Sequence, residues 1–410
     1  MIKKLFIVLM LSLSISSFAQ MVKPGIEVLR DQNFSILEGK KVGLVTNPTG
    51  VDSKLKSTID ILHEAPNVNL VALYGPEHGV RGDIAAGDHV EDFKDPKTGI
   101  PVYSLYGATR KPTEEMLKNV DVIVYDIQDN GARSYTYIST MGLVMEAAAE
   151  YGNEVVVLDR PNPLGGIRIE GNVAEEGYIS FVSQFKIPYI YGLTCGELAK
   201  MLNDEKMLEN GVQVKLTVVP MEGWTRDMIF PETGLPWVPA SPHVPHDNSC
   251  FYYSATGVVG ELSAVSIGVG YTIPFETFAA KWLDASTFAE EMNKLNLEGV
   301  VFRPLSYKPF YAFGKGEFLK GVQIYFTDYK KVKLLPIQFH FLSVMKKLHP
   351  EIDVFRIGEE NNRIRMFDLV NGTKKVREMF SKNYNVEEVE KFWQKDVDDF
   401  RVSSTKYYLY

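Results

Sequence analysis

The sequence predicts an α/β protein with a mostly parallel sheet in its first half and a second α/β domain behind it. Three observations carry that expectation. Short, continuously apolar runs alternate with helix-like segments, which is how strands buried on both faces are written. Several of those runs end in dense polar clusters. The chain, 410 residues long, also exceeds the roughly 250–300 residues that one core usually accommodates.

Strand-like runs lie at 41–46, 69–74, 102–105, 121–127 and 154–158, with helical segments at 57–64, 113–118 and 140–150 between them. Past residue 190 the pattern changes. Thr194 with Glu197 three positions on fits a capping box that opens a helix, and a strand follows at 213–219. The stretch 231–245 contains five prolines (231, 236, 239, 242 and 245), so it is a stiff loop rather than helix or central strand. The last third mixes strands at 300–303 and 322–326 with helices at 337–348 and 386–399. The expected division is a leader over 1–19, a first domain over 22–190 and a second over 191–410.

Composition narrows the setting. Lys3 and Lys4 precede an apolar run from Leu5 to Leu13, and Ser17-Phe18-Ala19 supplies small residues for cleavage, the pattern of a secretory signal peptide. The expected location is periplasmic or secreted, with no membrane anchor, since no cysteine stands near the cleavage point. The formal charge is −8, from 52 acidic and 44 basic residues, and loss of Lys3 and Lys4 takes it to −10. An acidic chain with no basic tract is a poor match for nucleic acid or an anionic membrane surface. Aromatic residues make up 12%, ample for a core and for ring-stacking surfaces. The two cysteines, Cys195 and Cys250, either pair or remain buried thiols; the sequence leaves that open.

In open α/β sheets a ligand crevice lies outside the carboxyl ends of the strands. Four strand ends here are polar. The first gives Asn47. The second gives Glu77, His78 and Arg81 on a glycine-flanked turn. The third gives Asp126, Gln128 and Asp129, followed by Arg133, Tyr135 and Tyr137, and the fourth gives Asp159 and Arg160. A carboxyl at the mouth of a partly apolar crevice is suited to general-acid work, and Glu77 is the leading candidate. Glycosidic bond hydrolysis commonly needs a second carboxyl group, which Asp126 or Asp129 would supply. Scaffold ion pairs remain the competing reading for Arg81, Arg133, Asp159 and Arg160. Trp237 and His243, in the proline-rich loop, would wall the site. No dinucleotide fingerprint, phosphate-binding loop or nucleophile elbow is present, and the histidines are dispersed, so neither cofactor nor metal is expected.

The segments VGLVTNPTGVD, LYGPEHGVRG, VYDIQDNGARSYTYISTM, VLDRPNPLGG, YGLTCGELA and WVPASPHVP together resemble the exo-β-N-acetylmuramidases, glycoside hydrolase family 171. The likeness runs from about residue 23 to Tyr410. It implies a Rossmann-like first domain, a smaller second domain and an active cleft between them. It also implies release of a non-reducing terminal N-acetylmuramic acid from peptidoglycan fragments. Glu77 falls on the family's catalytic glutamate, and Asp126, Gln128, Asp129 and Arg133 on its second polar motif. One segment departs: relatives commonly carry Asn and Arg where this chain has Ala264 and Val269, between a retained Glu261 and the Pro274-Phe275-Glu276 end. That departure leaves the exact sugar open. A hydrolase of another amino sugar and a non-catalytic periplasmic binder of muropeptides or sugars are the alternatives.

Overall fold

The computed structural model describes residues 21–77, 79–82, 93–107 and 109–410; the leader, His78 and residues 83–92 and 108 lie outside them. Among the described residues, ten strands form two sheets. The first comprises β1 (Lys41–Thr46), β2 (Asn69–Gly75), β3 (Phe93–Lys94), β4 (Pro101–Ser104), β5 (Val122–Asp126), β6 (Glu154–Leu158) and β7 (Lys215–Val219). Their order is β3-β4-β2-β1-β5-β6-β7. All neighbours are parallel except the short edge pair β3–β4.

The alternation of side chains along the central strands explains the layers. Val122 and Val124 of β5 face a core shared with helices Gly25–Asp31 and Thr58–Glu64. Ile123 and Tyr125 face the opposite core, with helices Tyr137–Tyr151 and Cys195–Asp204. Both faces are covered, so every residue of β5 is buried. The expected capping box is present, with Thr194 accepting from the Glu197 amide and Glu197 from the Thr194 amide.

The boundary expected at residue 190 is corrected by β7. This strand pairs with β6 from Glu154↔Lys215 to Leu158↔Val219, and the preceding helix packs into the first domain's core. As an edge strand β7 is half-exposed in alternation, which is why its sequence reads unlike the strands before it.

The second sheet is antiparallel, in the order β8-β10-β9, from β8 (Thr277–Ala280), β9 (Val300–Tyr307) and β10 (Leu319–Phe326). It shares a core with helices Ser249–Gly260, Ala285–Lys294 and Leu335–Leu348. There the Phe278 and Phe341 rings stack at 4.0 Å. The closing helix Val386–Ser404 stitches the halves together: Val389 and Trp393 sit in this core, Val397 and Phe400 in the first domain's. Cys195 and Cys250 are buried free thiols. No helix of the described residues is long and apolar enough to cross a membrane.

Arg133 joins the halves at their centre. It is fully buried, and its guanidinium donates to Ser183 Oγ (3.1 Å) and to the carbonyls of Asn172 (2.8 Å), Ile187 (2.5 Å), Val370 (3.2 Å) and Asn371 (2.8 Å). The last two close helix Ile364–Asn371, whose terminal carbonyls carry negative partial charge. Gly372 follows at φ +72°, and a Cβ there would sit 2.7 Å from the guanidinium. Replacing Arg133 by Met removes its five hydrogen bonds. Among the described residues, only the Val370 and Asn371 carbonyls have a second donor to fall back on, from Ser183 and Asn172. The expected loss of unfolding free energy is roughly 3 kcal/mol, read from the urea transition; an unchanged midpoint would contradict the assignment.

Candidate functional site

The strand order reverses between β1 and β5: β2 and β4 lie to one side, β6 and β7 to the other. This switch point opens a crevice at the carboxyl ends of the strands. Glu77 follows β2 by two residues, on a turn closed by the Gly79 amide donating to the Pro76 carbonyl (3.0 Å). It is half-buried and lines a cavity of about 350 Å³. The first domain also contributes Ser134, Tyr135, Thr136 and Tyr137 to that cavity. The proline-rich loop adds Ser241, Pro242, His243 and Val244, and the second domain Tyr253 and Phe275. The cavity therefore lies between the two domains.

Its walls are aromatic and cross-braced. Tyr135 stands edge-on to Tyr137 (5.0 Å) and to Tyr253 (5.6 Å), and its buried hydroxyl faces Ser241 and Tyr137. Ser134 Oγ lies 2.9 Å from the Tyr253 hydroxyl, tying the two domains at the cavity edge. Tyr137 donates to the Ala240 carbonyl (2.5 Å), and His243 Nε2 sits 2.8 Å from the Tyr311 hydroxyl. Burial, and after it the Glu77 carboxylate, pushes the Tyr106 hydroxyl above its ordinary value. Burial likewise lifts Tyr137, with the Glu77 charge adding to it against the Asn47 amide. Glu77 is thus a carboxylate among phenols.

The other predicted residues are placed differently. Asp126 is fully buried and accepts from Arg160 Nε (2.5 Å) and Nη2 (2.9 Å), and from the Thr58 hydroxyl. Arg160 spends its remaining reach on the Val51 carbonyl (2.8 Å). This bidentate pair clamps the ends of β5 and β6 and lines no part of the Glu77 cavity. Asp129 holds its own turn, accepting from the Gly131 amide (2.8 Å) and the Tyr191 hydroxyl, while its Oδ1 is unpartnered. Gln128 donates to the Asp129 and Pro161 carbonyls (2.8 and 2.7 Å). Asn47 accepts from the Thr49 amide and hydroxyl (3.0 and 2.5 Å), and its own amide faces the Tyr137 hydroxyl.

Arg81 forks onto Asp95 (2.5 and 3.0 Å) and reaches Asp60 (3.1 Å), which anchors the turn carrying Glu77. Asp159 is buried and accepts from Thr194 (2.6 Å), Gly196 (2.8 Å) and the Tyr410 hydroxyl (2.7 Å). Trp237 packs edge-on against Phe230 and donates to the Val244 carbonyl (3.1 Å). Glu261 pairs with Arg363 within the second domain. His78 lies outside the described residues. The cavity thus unites Glu77, Tyr135, Tyr137 and His243 among the predicted residues, and omits Asp126 and Asp129. Ala264 is buried and Val269 half-buried against the second core, so packing fills both departing positions.

Sequence reasoning missed Tyr106, Tyr253 and Phe275. Tyr106 had a signal: it follows β4, a fifth parallel strand end beside β2. A larger cavity, about 620 Å³, lies elsewhere at the junction, around Arg168, Trp393 and Arg226. It contains none of the predicted residues, and its Arg168, Arg226 and Lys333 are engaged by Glu170, Glu197 and Glu390. No metal-binding cluster of His, Cys, Asp or Glu occurs among the described residues.

A two-domain α/β protein with one carboxyl in an interdomain cavity of phenols and an imidazole has the build of a saccharide-processing protein. The chain belongs to the exo-β-N-acetylmuramidase NamZ family, whose N-terminal model matches residues 42–248 and whose C-terminal model matches 251–410. It is 44% identical over 389 residues to the peptidoglycan β-N-acetylmuramidase NamZ of Bacillus subtilis (strain 168), spanning 95% of this chain and 91% of that protein. A crystal structure of a DUF1343 family protein from Bacteroides fragilis NCTC 9343 matches with 60% identity and a TM-score of 0.90, over 95% of this chain and 99% of that one. A second from the same organism, at 28% identity, gives a TM-score of 0.74 over the same shares of the two chains.

Burial raises Asp129 from 3.8 to about 6. The folded state therefore binds this proton more tightly than the unfolded chain. The stability so gained is full below about pH 4 and is lost as pH rises through about 6. Asp129→Asn should shrink the fall in unfolding free energy between pH 4 and 7 by on the order of 1–3 kcal/mol. Urea titrations at both pH values check this; an equally steep fall in the variant would refute it.

Proposed function

We infer that this chain is an exo-acting glycoside hydrolase that releases non-reducing terminal N-acetylmuramic acid from peptidoglycan fragments during cell-wall turnover. The observation that carries the reading is Glu77, the one carboxyl lining the interdomain cavity among the described residues. Family membership over both domains supports the substrate class. The basic, apolar and small-residue pattern of residues 1–19 supports export to the periplasm or beyond.

Glu77 is the general acid in this account, protonating the glycosidic oxygen as the linkage breaks. Asp126, saturated by Arg160 and Thr58, and Asp129, committed to its turn, serve the scaffold. The substrate itself carries a nucleophile. The 2-acetamido carbonyl oxygen of muramic acid attacks C1 as the leaving sugar departs, giving an oxazolinium ion that keeps its N–H proton. Glu77, now ionised, takes a proton from water, which opens that ring and restores the acetamido group with net retention. Substrate-assisted hydrolysis of this kind is an established exception to the two-carboxylate scheme.

Glu77→Gln should lower turnover of a muramic acid–glucosamine disaccharide by about 10²–10⁴-fold, measured as released muramic acid. The first-formed sugar should be the β-anomer by proton NMR. Near-wild-type turnover would remove Glu77 from its role, and an α-anomer would remove the acetamido route.

A further inference from the structure

The loop 308–318 between β9 and β10 carries large apolar side chains where solvent should exclude them. Phe310 is 67% exposed, Tyr311 48% and Phe318 65%. Phe310 and Tyr311 are held firmly rather than collapsed onto the surface. The Tyr271 ring stacks against Tyr307 (4.8 Å, 29°) and against Phe310 (5.7 Å, 28°), making a three-ring pile with Phe310 at its outer end. The Phe310 amide donates to the Gly270 carbonyl (2.8 Å), and the Gly316 amide to the Pro309 carbonyl (3.0 Å). Gly270 has φ +94°, and a Cβ there would lie 2.0 Å from the Tyr311 carbonyl oxygen, so the loop is seated directly on this backbone.

This surface continues into the site. The Tyr311 hydroxyl sits 2.8 Å from His243 Nε2, and His243 lines the cavity that holds Glu77. From Glu77 outward, the wall therefore runs through His243 to Tyr311 and its neighbour Phe310. A pyranose ring presents a face of C–H groups that packs on an aromatic face, whereas water gains nothing there. For Glu77 to reach the linkage, the terminal sugar must occupy the cavity, so the chain beyond the linkage leaves by the rim.

We propose that Phe310 and Tyr311 form a stacking platform for saccharide rings on the leaving-group side, making the enzyme favour longer glycan fragments over disaccharides. The proposal rests on the hydrolase reading above. It adds a subsite that the reaction at Glu77 does not itself require.

The test compares kcat/KM for an aryl β-muramide and for a tetrasaccharide of alternating N-acetylmuramic acid and N-acetylglucosamine, in the wild type, Phe310→Ala and Phe310→Tyr. Phe310→Ala should lower the tetrasaccharide-to-aryl ratio about tenfold, the worth of a contact of about 1.4 kcal/mol, and Phe310→Tyr should restore it. An unchanged ratio overturns the platform. So does a Phe310→Ala variant that differs from wild type only in sedimenting as a smaller oligomer, which would make the surface a contact between copies. If the wild type hydrolyses no muramide at all, the hydrolase reading fails instead. Calorimetric binding of the tetrasaccharide then decides the platform: weaker binding by Phe310→Ala sustains it, equal binding overturns it.

Discussion

The structure depends on a buried cation that hydrogen-bonds to no carboxylate among the described residues. Arg133 is satisfied by one hydroxyl and four backbone carbonyls, two of them from the end of a helix in the other domain. Burial lowers its pKa to about 10, still well above neutrality, so the charge persists. Oriented dipoles thus do the work of a counter-ion, and they come from segments far apart in the chain. The next four residues, Ser134 to Tyr137, are cavity wall. Fixing Arg133 therefore fixes the first domain's wall against Tyr253 and Phe275 of the second.

The same economy governs the acids at the sheet's edge. Asp126 and Asp159 stand at or just beyond strand ends where a ligand crevice is expected, yet each is enclosed by donors. Removing either partner of a buried pair such as Asp126–Arg160 is costly, because the survivor keeps its charge without water. These groups tie the ends of β5 and β6 to Val51, Thr58, Thr194 and Tyr410. Glu77 differs in being half-exposed to a cavity, with the phenols of Tyr106 and Tyr137 beside it. Glu77 is the cavity-lining carboxyl that the scaffold has not consumed, which is why the proposed general-acid role falls to it.

Much of this was legible beforehand. Continuous apolar strands gave away a sheet covered on both faces, and polar residues after the strands pointed to the edge where the interdomain cavity lies. Glu77 was recognisable because a glycine-flanked turn after a parallel strand brings backbone and carboxyl to that edge. The pairing of Asp126 with Arg160 was not legible, since the two lie 34 residues apart at successive strand ends, and either could have faced a ligand. Nor were Tyr253 and Phe275, which reach the cavity only through domain packing. The boundary at 190 failed because β7, as an edge strand, alternates like a strand of an antiparallel sheet.

The most direct measurement is a crystal structure of the Glu77→Gln variant with a muramic acid–glucosamine disaccharide. The account predicts the terminal sugar between Tyr137 and His243, with the glycosidic oxygen about 3 Å from the side chain at position 77. A disaccharide bound instead in the cavity around Arg168 and Trp393, with the Glu77 cavity empty, would contradict it.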